Sequence, residues 1–136
     1  MRYLLDANTW IAHYRNSQPD VTRRLQRQSA GDIVLCSIVL GELQLGVERC
    51  PTQYRVANQK LVDETRLQYD SLPFDDAAAM EYAVIRADLM TRGLSIGGND
   101  MLIAAIARVN EITLVTHNTA EFGRVPGLLI EDWQIP

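Results

Sequence analysis

The sequence predicts an α/β fold, a five-stranded parallel sheet flanked by helices on both faces, and three observations carry that prediction. Short apolar runs lack polar alternation, as in Tyr3-Leu4-Leu5 and Ile33-Val34-Leu35-Cys36, which suits strands buried on both faces. Segments of helical character separate those runs, so successive strands need crossovers and a parallel sheet follows. The chain has 136 residues without linker, repeat or low-complexity stretch, which makes residues 1–136 one domain. A chain of this length buries ~65–70% of the surface that its unfolded form exposes.

The first strand, Arg2 to Asp6, ends on an acid. An acid where a buried strand emerges lies in the crevice beyond the carboxyl ends, where open α/β sheets bind ligands. Asp6 could instead cap the next helix, but Asn8 and Thr9 offer equal caps. A short helix follows from Thr9 to Tyr14, then a break at Asn16–Asp20 in which Pro19 opens a polar helix over 20–29. The second strand is Asp32 to Cys36; Ser37 caps a helix from Ile38 to Arg49, and Pro51 ends it. Thr52 to Gln68 reads as a charged helix, so these two helices form a hairpin. A short edge strand, Asp70 to Phe74, tolerates Pro73. Asp75 opens an Ala-rich helix that Gly93 stops after Arg92. Ile96 to Arg108 has almost no polar face and is therefore buried. Ile112–Thr116 and Leu128–Glu131 complete the sheet.

Composition narrows the chemistry. Neither a cationic leader nor an apolar run near ~20 residues is present, so a cytoplasmic location and no membrane are expected. Cys36 and Cys50 lack zinc-site spacing, and His13 and His117 are too few and too separated for a histidine-based metal site. A net charge of −4 is unlike a protein that coats nucleic acid, yet every basic residue except Lys60 is an arginine, suited to planar contact with phosphate. Acids that hold a cation would make net charge misleading.

Three acids fall at one edge of the expected sheet. Asp6 ends the first strand, and Glu42 lies in an otherwise apolar helix that opens just after the second. A carboxylate among such neighbours is costly unless paired, metal-bound or turned to solvent. Asp100 follows Gly97-Gly98-Asn99 in the first turn of the buried helix, where the helix dipole favours an anion by ~0.3–1 kcal/mol. Dipole stabilisation alone asks for neither glycine. Asn118 and Glu121, after the fourth strand, have capping-box spacing; this gives Glu121 a capping role, while Asn118 suits both a cap and the orientation of a water. Carboxylates crowded in one crevice repel, and at least one pKa rises unless a cation is present. Oxygen ligands without His or Cys select Mg²⁺ or Mn²⁺ over zinc. Jointly these features point to metal-dependent hydrolysis of a phosphodiester.

At these residues the chain resembles a known family. Leu5-Asp6-Ala7-Asn8-Thr9-Trp10, Ser37 to Leu43 with Gly46, Ile96 to Ala105 and Leu114-Val115-Thr116-His117-Asn118 are similar to a PIN domain. Glu121-Phe122, Val125-Pro126-Gly127-Leu128 and Glu131-Asp132-Trp133 resemble the VapC toxins of bacterial toxin–antitoxin pairs. The resemblance implies a Mg²⁺- or Mn²⁺-dependent endoribonuclease, a homodimer and a VapB antitoxin partner. It implies Asp6, Glu42 and Asp100 as metal ligands. The family often has a fourth acid where this chain has Asn118, so one firmly held ion is expected, with Glu121 as a neighbouring contributor.

Two other readings share these residues. A metal-dependent phosphatase usually needs a second Asp two residues after the first, and Asn8 stands there. A non-catalytic module that sequesters RNA or a partner would keep the fold without the chemistry. A tRNA or rRNA loop fits as substrate, since sequence-specific recognition of RNA favours unpaired loops. Val47, Tyr54, Leu61 and Leu67 on the hairpin are candidates to line an antitoxin groove, and the Ala-rich helix 75–92 is a candidate dimer face.

Overall fold

The computed structural model describes residues 1–135. Its strands are β1 (Tyr3–Leu5), β2 (Ile33–Cys36), β3 (Asp70–Leu72), β4 (Thr113–Val115) and β5 (Ile130–Glu131). They form one five-stranded sheet in the order β3-β2-β1-β4-β5, with every pairing parallel. The helices are α1 (Ala7–Tyr14), α2 (Pro19–Arg27), α3 (Ser37–Arg49), α4 (Arg55–Gln68), α5 (Asp76–Arg92), α6 (Gly98–Val109) and α7 (Thr119–Phe122). None of the described helices is long and apolar enough to cross a membrane.

The strand runs without polar alternation are buried on both faces, as expected. Leu4, Leu5, Leu35, Leu114 and Val115 have no solvent exposure, and α6 adds Ile103 to Ala107 to the same core. Pro73 lies just beyond the edge strand β3 and removes no ladder hydrogen bond. The order also fixes where a ligand can sit. From β1 the chain builds β2 and β3 to one side, then returns to build β4 and β5 on the other. The crevice at the carboxyl ends of β1 and β4 is therefore the point at which strand order reverses, the usual ligand site of such sheets.

Several local details differ from the sequence reading. The cap of α3 is Cys36, whose Sγ accepts from the Val39 N–H, while Ser37 Oγ accepts from the Phe74 N–H and ties α3 to the segment after β3. Thr52–Tyr54 forms a separate 3-10 turn before α4, because Pro51 restarts the chain. The last strand is only Ile130–Glu131, with Gly127 at φ +73° turning the chain before it. Asp75 caps α5 through the Ala78 N–H as expected, and Gly93 ends it at φ +67°. A side chain at that backbone angle is strained by about 1–2 kcal/mol, although the space around Gly93 is open. Gly93→Ala is thus expected to lower unfolding free energy by about 1 kcal/mol, read from denaturant midpoints at constant slope.

Candidate active site

Asp6 is the N-cap of α1 and sits at the reversal point, 8% exposed. Its Oδ1 accepts from the Thr9 backbone N–H (2.8 Å) and the Thr9 hydroxyl (2.6 Å). Its Oδ2 accepts from the Thr116 hydroxyl at 2.6 Å. Thr116 in turn accepts from the Asn118 N–H at 3.0 Å, so the loop after β4 is tied to the end of β1. The sequence reading separated capping from function for this residue; the structure gives Asp6 the cap and the crevice position together. Neither Thr9 nor Thr116 stood out in the sequence as an Asp6 partner. Thr9 has the three-residue spacing at which a backbone N–H donates to a cap side chain. Thr116 is brought level only by sheet register, with Leu5 opposite Val115.

Glu42 and Asp100 approach the same place from α3 and α6. Burial raises the Glu42 pKa, the Asp6 charge raises it further, and a hydrogen bond with Asn99 opposes both. Asp100 is pushed up to about 6, first by burial and then by the charges of Glu121, Glu42 and Asp6, with a hydrogen bond to Glu121 acting in the same direction. Asp100 therefore feels all three of the other acids.

Glu121 does not cap α7. Its Oε1 accepts from the Gly97 N–H at the start of α6, and its Oε2 accepts from Asn118 Nδ2 at 2.7 Å. These hydrogen bonds, led by that of Gly97, hold its pKa below the usual carboxylate range. Asn118 occupies the N-cap position of α7 without making a side-chain cap. Neither side chain caps the single turn of α7: Asn118 and Glu121 bond each other, and Glu121 reaches across to the Gly97 N–H.

Oxygen chemistry suits a hard divalent ion, and two features of the structure bear on the fit. A Cβ at Gly97 would lie 3.4 Å from Asp100 Oδ2 and 3.5 Å from Glu121 Oε1, so the glycine keeps space open in front of both carboxylates. No three acidic, imidazole or thiol groups among the described residues close on one point as a ready-made cation cage would. Mg²⁺ does not need such a cage, because it keeps several waters and is commonly held through one or two carboxylates. The donor set fits a hydrated ion of that kind.

The hydroxyl that holds Asp6 has a measurable role. Thr116→Val keeps the shape but leaves the Asn118 N–H and Asp6 Oδ2 each short of a partner. A stability loss of about 2 kcal/mol is expected in chemical denaturation, against less than about 0.5 kcal/mol for a surface valine.

The PIN domain family matches residues 3–128 of the chain. Ribonuclease VapC2 of Rickettsia felis is 36% identical over 135 residues, and the tRNA(fMet)-specific endonuclease VapC of Shigella flexneri is 35% identical over 133; each alignment covers 98% of both proteins. Among solved structures, DNA-bound VapBC from Salmonella typhimurium contains a chain of TM-score 0.89 and 32% identity, with 98% of each chain covered. Matched along nearly its whole length by sequence and by backbone, the chain belongs to the PIN domain family, in its VapC group.

Proposed function

We propose that this protein is the toxin of a VapBC-type pair, an endoribonuclease that hydrolyses RNA phosphodiester bonds with Mg²⁺ or Mn²⁺. The observation that carries this reading is the convergence of Asp6, Glu42, Asp100 and Glu121 at the reversal point of the sheet, where burial first and then the charges of the other three push Asp100 up to about 6. A bound divalent ion would supply Lewis acidity and neutralise the charge that builds on the phosphate oxygens.

In this reading Asp6, Glu42 and Asp100 would hold the hydrated ion, directly or through its waters, and Glu121 would add the fourth carboxylate that Asn118 does not supply. The hydroxyls of Thr9 and Thr116 fix both oxygens of Asp6, so that ligand is oriented before any ion arrives. Asn118 positions Glu121 through its amide nitrogen, and we assign its amide oxygen to orienting the attacking water. A tRNA or rRNA loop is the substrate class, and the name of the Shigella relative favours tRNA. An RNA target also implies a cytoplasmic site of action.

A VapB antitoxin is the partner in this reading. The hairpin of α3 and α4 and the adjacent α1 enclose an apolar groove of about 200 Å³ whose lining includes Ile11, Leu43, Val47 and Leu61. Tyr54 and Leu67, the other two hairpin candidates, lie outside it; Leu67 is 88% exposed beside Val56. An antitoxin complex with this groove empty would refute the docking site. Homodimerisation is assigned to the outer face of α5, where Met80, Val84 and Met90 are exposed.

Purified protein incubated with total RNA, with Mg²⁺ or with EDTA, tests the activity by mapping new 5′ ends. Discrete cuts that need the divalent ion are expected. Hydrolysis of a small phosphomonoester with RNA left intact would overturn the assignment in favour of a phosphatase. RNA binding with no cleavage under any divalent ion would leave a sequestering module.

A further inference from the structure

The loop after β4 carries a third side chain that the carboxylate site does not use. His117 lies between Thr116, which touches Asp6, and Asn118, which touches Glu121. Its Nδ1 stands 2.8 Å from Asp132 Oδ2. The imidazole is 62% exposed whereas the Asp132 side chain is only 10% exposed. A solvated surface pair would leave both groups in water; here a nearly buried acid is committed to an exposed ring. Asp132 is itself fixed, because its Oδ1 accepts from the Gln134 N–H at 2.9 Å. The next residue, Trp133, is buried, with its indole N–H on Glu131 and its ring against Tyr3. The pair is thus anchored to the end of β5.

This arrangement sets the tautomer. With a carboxylate oxygen as acceptor, Nδ1 is the donor, and the tautomer that matches this contact has its lone pair on Nε2. An exposed acceptor of that kind stands one residue from the groups that bond Asp6 and Glu121, so a strand bound at those acids would pass beside it. A phosphate offers no hydrogen there to accept, but a ribose 2′-hydroxyl does.

We propose that His117, positioned by Asp132, accepts a hydrogen bond from a ribose 2′-hydroxyl of the bound strand and so gives the crevice a preference for RNA over DNA. This rests on the nuclease reading of the same crevice and adds to it a residue that selects the sugar. Asp132 acts through the ring and is a positioning residue.

The test uses fluorescein-labelled oligouridylate and oligodeoxyuridylate of equal length, with binding to the whole protein followed by anisotropy in Ca²⁺. The wild type is expected to bind the RNA more tightly. His117→Ala should weaken RNA about fivefold and leave DNA unchanged, the scale of one hydrogen bond. Asp132→Ala should act in the same direction with a smaller factor. His117→Gln, which keeps an acceptor oxygen, should retain most of the preference. A merely structural role for the pair would not depend on the 2′-hydroxyl. Equal weakening on both strands would overturn the proposal and indicate a phosphate contact. Unchanged binding, a wild type without preference, or no binding of either strand would also overturn it. The nuclease reading fails separately, if RNA is bound with preference yet never cut in Mg²⁺.

Discussion

Asp6→Asn is expected to lower divalent-dependent RNA cleavage about 1,000-fold while the protein stays folded, a loss of about 4 kcal/mol in transition-state stabilisation. The change removes a charge but preserves shape. An asparagine oxygen can still accept from the Thr9 N–H, so the cap of α1 survives at a cost of a few tenths of a kcal/mol. Its amide nitrogen faces the Thr116 hydroxyl with a donor where an acceptor stood, and that hydroxyl can rotate to accept from it. What does not survive is the negative charge at the reversal point of the sheet. Isothermal titration with Mn²⁺ should show much weaker binding by the variant, and far-ultraviolet circular dichroism should be unchanged. A folded variant that cuts RNA at near wild-type rate with Mg²⁺ would remove Asp6 from the site.

The parts of this site that the sequence made visible are those written in local periodicity. Apolar runs located β1, β2 and β4, and the acid that ends β1 followed directly from them. Glu42 and Asp100 stood out because their helices are otherwise apolar, so that a carboxylate needed a reason to be there. Glu121 was misread for the opposite reason. Its spacing from Asn118 satisfied a local rule and the two side chains do pair, whereas its other partner, the Gly97 N–H, lies 24 residues away at the start of α6. Thr116 shows the same limit, since its bond to Asp6 spans 110 residues and depends on the register of β1 against β4. The Cys36 cap of α3 was hidden because sulfur is a weak acceptor and Ser37 offered a better one on paper; the Phe74 N–H claims that hydroxyl instead. Local chemistry thus placed the acids, and tertiary pairing decided what holds them.

The pH dependence of stability supplies the second large effect. Without a divalent ion, Asp100 has its pKa raised from 3.8 to about 6. The folded state therefore binds this proton more tightly than the unfolded state does. Its contribution to stability is fully present below the unfolded value and is lost as pH rises through the folded value. Metal-free protein should lose stability between about pH 4 and pH 6 through this group, and Glu42, also raised, acts in the same direction. Glu121 is depressed and acts oppositely, weakening the fold only as pH falls below its usual range. Asp100→Asn removes the charge yet keeps a donor toward Glu121. At pH 7 in EDTA it should stabilise the protein by about 1 kcal/mol after allowance for solvent screening at a half-exposed side chain, or about 4 °C in Tm. Millimolar Mn²⁺ should reverse the order, because an ion that binds only the folded wild type stabilises it by mass action and finds a crippled site in the variant. Calorimetric scans at pH 5 and pH 7, with EDTA and with Mn²⁺, distinguish these cases. A variant less stable than wild type in EDTA at pH 7 would mean that burial and the neighbouring acids do not penalise the charge on Asp100. An ion that stabilised both proteins equally would mean that it binds elsewhere.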